Sequence, residues 1–207
     1  MKVKIKICGM KFSENITEIA TLLPDYLGFI FYEKSPRYLE NNIPFLDKSI
    51  QKVGVFVNPT FEEVKEKVTQ YKLDLVQLHG EEPEDFCILI ENIGIKVIKA
   101  FSVDNLFNFS ILETYKNSCS YFLFDTKGRK YGGNGTVFDW RILKNYSLDK
   151  PYFLSGGIGL EHTDAFEEFS KKEYAKNCIS LDLNSRFEIE PGLKNLITLK
   201  EFIQQIK

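Results

Sequence analysis

The chain has two histidines, one tryptophan and four cysteines, and no two cysteines stand at CxxC spacing. Cys8, Cys87, Cys119 and Cys178 are too scattered for a zinc cluster or a short disulfide framework, so reduced thiols, no structural metal and a cytoplasmic setting are expected. Long basic runs are missing and the formal charge is −2, which removes the electrostatic footprint of a nucleic-acid binder. No apolar stretch approaches the length of a membrane helix. At the N-terminus lysines interleave with aliphatics instead of preceding an apolar block, so no secretory signal is read there. No Gly-x-Gly-x-x-Gly follows the first strand, as a dinucleotide-binding open sheet would need. These absences leave a soluble protein whose partner is a small molecule.

What is present is a repeat of strand and helix. Short β-branched and aromatic runs bounded by glycine, proline or polar clusters predict eight strands: Lys2–Cys8, Leu27–Tyr32, Lys52–Val57, Leu75–His79, Lys96–Phe101, Tyr121–Thr126, Tyr152–Gly156 and Cys178–Leu183. They recur roughly every 25 residues, the pitch of a βα unit in an eight-stranded barrel. Helical periodicity falls between them at Ile16–Leu23, Phe61–Tyr71, Pro83–Glu91 and Leu196–Ile206, and less regularly at Leu39–Ile50, which contains Pro44. Lys171-Lys172-Glu173 reads equally as a helix end or a loop. Thr60 is placed to cap the second of these helices, with Glu62 and Glu63 at its positive end. Alternating β and α segments force a parallel sheet. Eight units favour closure, so residues 1–207 are expected to form one domain, a (βα)8 TIM barrel.

Active sites of such barrels lie at the C-terminal ends of the strands, and polar residues collect there: Cys8, Asn58, His79, Asp125 and Asp182. Side chains two apart in a strand share a face. Lys4, Lys6 and Cys8 therefore lie opposite Val3, Ile5 and Ile7. Tyr121, Leu123 and Asp125 lie opposite Phe122 and Phe124, and Cys178, Ser180 and Asp182 share a face. Each residue alone has a plain structural explanation, such as a buried inert thiol for Cys8 or a loop cap for an aspartate; their concentration on one rim points to a site. Ser155-Gly156-Gly157-Ile158-Gly159 and Asn184-Ser185 follow strands seven and eight, where barrels hold phosphate on backbone N–H groups. Lys34-Ser35-Pro36-Arg37-Tyr38 offers a guanidinium suited to a carboxylate. The glycine-bearing segment 127–135 reads as a loop able to close over a substrate.

Taken together, Lys6-Ile7-Cys8-Gly9, Gly28–Tyr32 with Ser35-Pro36-Arg37-Tyr38, Val53–Asn58, Val76-Gln77-Leu78-His79-Gly80, Phe124-Asp125, Phe138-Asp139-Trp140, Ser155-Gly156-Gly157 and Pro191-Gly192-Leu193-Lys194 resemble phosphoribosylanthranilate isomerase, in family order. The resemblance implies a cofactor-free (βα)8 isomerase of tryptophan biosynthesis that performs an Amadori rearrangement. It implies Asp125 as general acid and Cys8 as general base, Arg37 as the anchor of the anthranilate carboxylate, and Gly156, Gly157, Asn184 and Ser185 as the phosphate cradle. His79 and Asp182 complete the expected substrate-binding set. A thiol base needs a positive or hydrogen-bonding environment; Lys4 and Lys6, deeper on the same face, either serve Cys8 or pair with acids inside the barrel. Arg186 stands where the family has glycine, and Asn134 where it has threonine. A metal-dependent epimerase barrel would need several histidines, and a non-catalytic metabolite sensor would have no need of Cys8 and Asp125. With 18 phenylalanines of unknown exposure, a monomer and a homodimer both stay open.

Overall fold

The computed structural model describes residues 3–126 and 139–206; the segment 127–135, Asn134 and Phe138 lie outside the described residues. Eight parallel strands close into a barrel in sequence order: β1 (Lys4–Ile7), β2 (Tyr26–Ile30), β3 (Gln51–Phe56), β4 (Leu75–Leu78), β5 (Lys96–Val103), β6 (Tyr121–Thr126), β7 (Tyr152–Leu154) and β8 (Cys178–Leu183). The ring shuts where Lys4 pairs with Ser180 and Lys6 with Asp182. All eight expected strands are present, with ends shifted by at most two residues. Outside the ring run α1 (Ser13–Ala20), α2 (Phe61–Tyr71), α3 (Glu84–Glu91), α4 (Leu112–Tyr115), α5 (Thr163–Ser170) and α6 (Leu196–Ile206). Among the described residues no helix is long and apolar enough to cross a membrane.

Strand alternation sorts the core into two parts. Val3, Ile5, Ile7, Phe122, Phe124 and Tyr152 face the helices in the larger cluster, where Phe122 meets Phe101 edge-on at 5.3 Å and Phe124 meets Tyr146 at 5.4 Å between ring centroids. Tyr26, Val53, Leu75, Ile98, Ala100, Leu123 and Phe153 fill the lumen. This apolar plug closes one end, so the polar lumen residues beyond it open toward the C-terminal ends of the strands.

Thr60 caps α2 as expected: its hydroxyl accepts from Glu63 N at 3.2 Å while Thr60 N donates to the Glu63 carboxylate at 2.6 Å. Three expectations are corrected. Leu39–Ile50 forms no helix, because Pro44 lacks the N–H a helix interior requires and disfavours helical backbone at Ile43. Cys178 does not share the lumen face of Ser180 and Asp182. Tyr152 pairs with Cys178 but Phe153 with Ser180, so Ile179 is an extra residue that reverses the alternation. Cys178 accordingly packs in the outer cluster and Ile179 against the inner one. Asn58 does not face the lumen; in left-handed backbone (φ 49°) it accepts from Glu81 N at 2.7 Å and donates its own N–H to Glu82 at 2.8 Å. In addition to the elements expected, the stretch after β8 holds an antiparallel hairpin, β9 (Glu188–Glu190) and β10 (Leu193–Lys194), turning at Pro191-Gly192.

Candidate active site

β1 ends by carrying the Cys8 thiol into the lumen, where Cys8 N donates to Leu183 O at 2.8 Å. The chain then turns at Gly9 with φ 75°, and a Cβ there would lie 2.7 Å from Arg37 Cδ and 2.9 Å from Asn184 Oδ1. Only glycine satisfies both the backbone and the space. Across β2, Gly28 leaves room for the sulfur itself.

Lys6 sits beneath Cys8, fully buried, with Nζ 2.9 Å from Asp182 Oδ1. Burial works against its charge, but Asp182 and Cys8 outweigh that, so the ammonium is held above its ordinary range. Burial, with the Asp182 carboxylate, holds the Cys8 thiol above its ordinary range, and the Lys6 and Lys194 ammonium groups oppose that shift without reversing it. Lys6 therefore pairs with an acid inside the barrel, and its positive charge also acts on Cys8. Lys4, lower in the barrel, donates to Tyr26 OH at 3.3 Å instead.

β6 presents Asp125 to the same lumen. Its Oδ1 accepts from Thr126 N at 2.9 Å and its Oδ2 lies 3.2 Å from His79 Nε2, at the end of β4. Gln77, two residues before His79 and on the same face, places Nε2 2.9 Å from His79 Nδ1. Gln77 and Asp125 thus hold the two ring nitrogens of His79 from opposite sides. The β4 turn that holds His79 is pinned from behind by a buried pair, Lys99 Nζ to Glu82 Oε2 at 2.8 Å.

After β7 the backbone takes positive φ at Gly156 (98°) and Gly157 (67°). A Cβ on Gly156 would lie 2.1 Å from Thr126 Oγ1, so the turn closes tightly over the end of β6. Asn184 and Ser185 stand beside it after β8. Cys8, Gln77, His79, Asp125, Ser155, Gly156, Gly157, Asp182, Asn184 and Ser185 line one cleft that opens to solvent. Of the expected site residues, all but Arg37 line this cleft. Arg37 lies beside it behind Gly9, with Nε 2.9 Å and Nη2 2.6 Å from the Glu188 carboxylate. Asp182 lies at the floor with Oδ1 taken by Lys6. Arg186 is paired with Glu161, tying the loop after β8 to the short turn Leu160–His162 after β7. Among the described residues no group of three His, Cys, Asp or Glu side chains is placed to hold a metal ion.

Gln77, Glu188 and Lys194 bond directly to His79, Arg37 and Asn184 without having been singled out as site residues. Gln77 shares the strand parity of His79, a usable signal; Glu188 and Lys194 sit on the hairpin, which leaves no periodic trace.

Fold and site together define a (βα)8-barrel enzyme with acid and base groups facing one lumen beside a glycine turn. The sequence model of N-(5'-phosphoribosyl)anthranilate (PRA) isomerase matches residues 5–205, and the chain belongs to that family of isomerases. It is 45% identical to N-(5'-phosphoribosyl)anthranilate isomerase of Parabacteroides distasonis, over 98% of this chain and 92% of the relative. The crystal structure of phosphoribosyl anthranilate isomerase from Thermotoga maritima superposes with a TM-score of 0.83 at 32% identity, covering 99% of this chain and 98% of that one. A phosphoribosyl anthranilate isomerase solved in complex with reduced 1-(O-carboxyphenylamino)-1-deoxyribulose 5-phosphate superposes with a TM-score of 0.80 at 29% identity, with 99% and 98% covered.

Proposed function

We propose that this chain converts N-(5'-phosphoribosyl)anthranilate into the open-chain carboxyphenylamino-deoxyribulose phosphate, the Amadori step of tryptophan biosynthesis, with Asp125 as general acid and Cys8 as general base. The observation that carries this reading is the convergence of Cys8, Asp125 and the Gly156-Gly157 turn on one cleft.

Asp125 protonates the furanose oxygen as the C1–O bond breaks and the anilino nitrogen lone pair forms the C1=N bond of an iminium. Cys8 then takes the proton from C2; those electrons form C1=C2, and the iminium pair returns to nitrogen. The enol hydroxyl loses its proton while C1 gains one, giving the ketone. Oxidation at C2 balances reduction at C1, and protons gained equal protons lost, so the rearrangement consumes no redox partner. His79, fixed by Gln77, orients the Asp125 carboxyl. Lys6 supplies the positive neighbour that a thiolate needs.

In the same reading the Gly156 and Gly157 amides with Asn184 and Ser185 hold the phosphate, Arg37 holds the anthranilate carboxylate, and Asp182 acts through Lys6 at the cleft floor. Residues 1–207 serve as one catalytic domain. The chain acts as a monomer or a homodimer. Four free thiols suit a cytoplasmic location.

The test is loss of anthranilate-substrate fluorescence on incubation with purified protein. Cys8→Ser and Asp125→Asn should each lower kcat by roughly 10²-fold or more with the fold retained. A variant that keeps near wild-type turnover removes its residue from the role assigned here.

A further inference from the structure

The hairpin after β8 carries two buried charges that the acid–base steps do not use. Glu188 and Lys194 are 5% and 0% exposed, and Lys194 Nζ lies 2.6 Å from Glu188 Oε1. Glu188 accepts from four donors: Arg37 Nε at 2.9 Å, Arg37 Nη2 at 2.6 Å, Lys194 Nζ, and Gly192 N at 3.0 Å. Lys194 donates a second bond to Asn184 Oδ1 at 2.7 Å. Burial pushes the Glu188 carboxyl up, but Arg37 and Lys194 more than reverse it and hold it below the usual carboxylate range.

Two cations share one anion here, beside the mouth of the cleft. Neutrality needs only one of them, and removing three charges from water costs several kcal/mol per ion before pairing. Stability alone is a poor reason to assemble such a group. Its geometry serves recognition instead. Glu188 grips Arg37 through Nε and Nη2, which fixes the plane of the guanidinium, while Nη1 has no acceptor among the described residues. The uncompensated positive charge stays on a fork already oriented for a planar anion.

The geometry points to Glu188 as a positioning residue that sets affinity for the carboxylate of the substrate by holding Arg37, with Lys194 holding Glu188. Among the described residues Glu188 makes no hydrogen bond to Asn184, Ser185 or the Gly156-Gly157 turn, and Lys194 keeps its own bond to Asn184 when Glu188 is replaced, so the phosphate cradle is held without the carboxylate. This inference rests on the reading of Arg37 as the carboxylate anchor.

Steady-state kinetics on Glu188→Gln, Arg37→Ala and the double variant test it, with inorganic phosphate as a competitive inhibitor. Glu188→Gln should raise KM about tenfold or more, the size of a lost charge-assisted hydrogen bond, with kcat and the phosphate inhibition constant within about threefold. The double variant should be no worse than Arg37→Ala, since both remove one interaction. A Glu188→Gln KM within about twofold of wild type overturns the inference, and so does an equal rise in KM and the phosphate constant, which would mean general loosening. Arg37→Ala with unchanged KM instead overturns the role of Arg37 itself. If Glu188→Gln does not fold, Glu188→Asp, which withdraws the carboxylate by one methylene, is held to the same criteria.

Discussion

Gly28 has no chemistry of its own, yet Gly28→Ala should disable the enzyme. A Cβ at this position would lie 2.8 Å from Cys8 Sγ, 3.1 Å from Cys8 Cα and 3.3 Å from Cys8 Cβ. Ordinary contacts begin near ~3.5 Å, so the sulfur has to retreat by about 0.7 Å or more. The backbone cannot retreat with it, because Cys8 N is bonded to Leu183 O at 2.8 Å and Met10 N to Gly28 O at 3.0 Å. The thiol therefore takes most of the movement, away from the charge of Lys6, while the 3.1 Å contact with Cys8 Cα remains as packing strain. Displacing a catalytic group by about 1 Å costs on the order of 10²-fold in rate. Overpacking a tight core costs about 1–3 kcal/mol, each worth about 2–4 °C of unfolding midpoint in a domain of this size. Arg37 and the Gly156-Gly157 turn are untouched, so KM should stay within about threefold of wild type. Fluorescence-monitored turnover and thermal unfolding by circular dichroism measure both effects. A folded Gly28→Ala protein with kcat within about threefold of wild type would refute the argument that the glycine exists to seat the thiol.

Two further perturbations address buried charge. Lys6→Met strands Asp182 without its partner and should destabilise the protein by about 3–5 kcal/mol at neutral pH, as judged by urea denaturation. The deficit should shrink on acidification, because the stranded carboxyl takes up a proton at higher pH in the folded than in the unfolded chain; equal midpoints at neutral pH would rule this out. Alkaline pH should also destabilise the wild type. Burial holds Cys87, Cys119 and Cys178 up at about 12, whereas an unfolded thiol titrates near ~8.5. By pH ~9.5 the unfolded chain has shed three protons that the folded chain keeps, a loss of about 4 kcal/mol. Lys194 works in the opposite direction: burial pulls it down to about 8, so the folded chain sheds that proton first and about 2 kcal/mol is recovered. Cys8, also held above its ordinary range, adds to the loss, so a net fall of at least about 2 kcal/mol between neutral pH and ~9.5 should appear in urea midpoints, and a rising profile would contradict it.

The barrel was legible because its strands alternate strictly. Val3, Ile5 and Ile7 against Lys4, Lys6 and Cys8 encode both the strand and its two faces, since one face must meet helices and the other the lumen. The same alternation placed Asp125 inward from Phe122 and Phe124, and strand ends located His79 and the glycine turn. Alternation failed at one point, Cys178, where the extra residue Ile179 shifts the register of β8 against β7. A bulge is set by how neighbouring strands pair, and one strand's residues do not record that.

The chain's own order settled the fold, the family and most of the side chains at the cleft, Asn58 and Arg37 excepted, because strand period and local backbone chemistry are properties of neighbours in the chain. The tertiary structure alone decided the partnerships. Lys6 with Asp182, Arg37 with Glu188 and Lys194 with Asn184 are separated by 176, 151 and 10 residues, and their pairing depends on ring closure and on a short hairpin without periodicity. Those pairings set the charge around Cys8 and the orientation of Arg37, since electrostatics in a buried site follows distance in space.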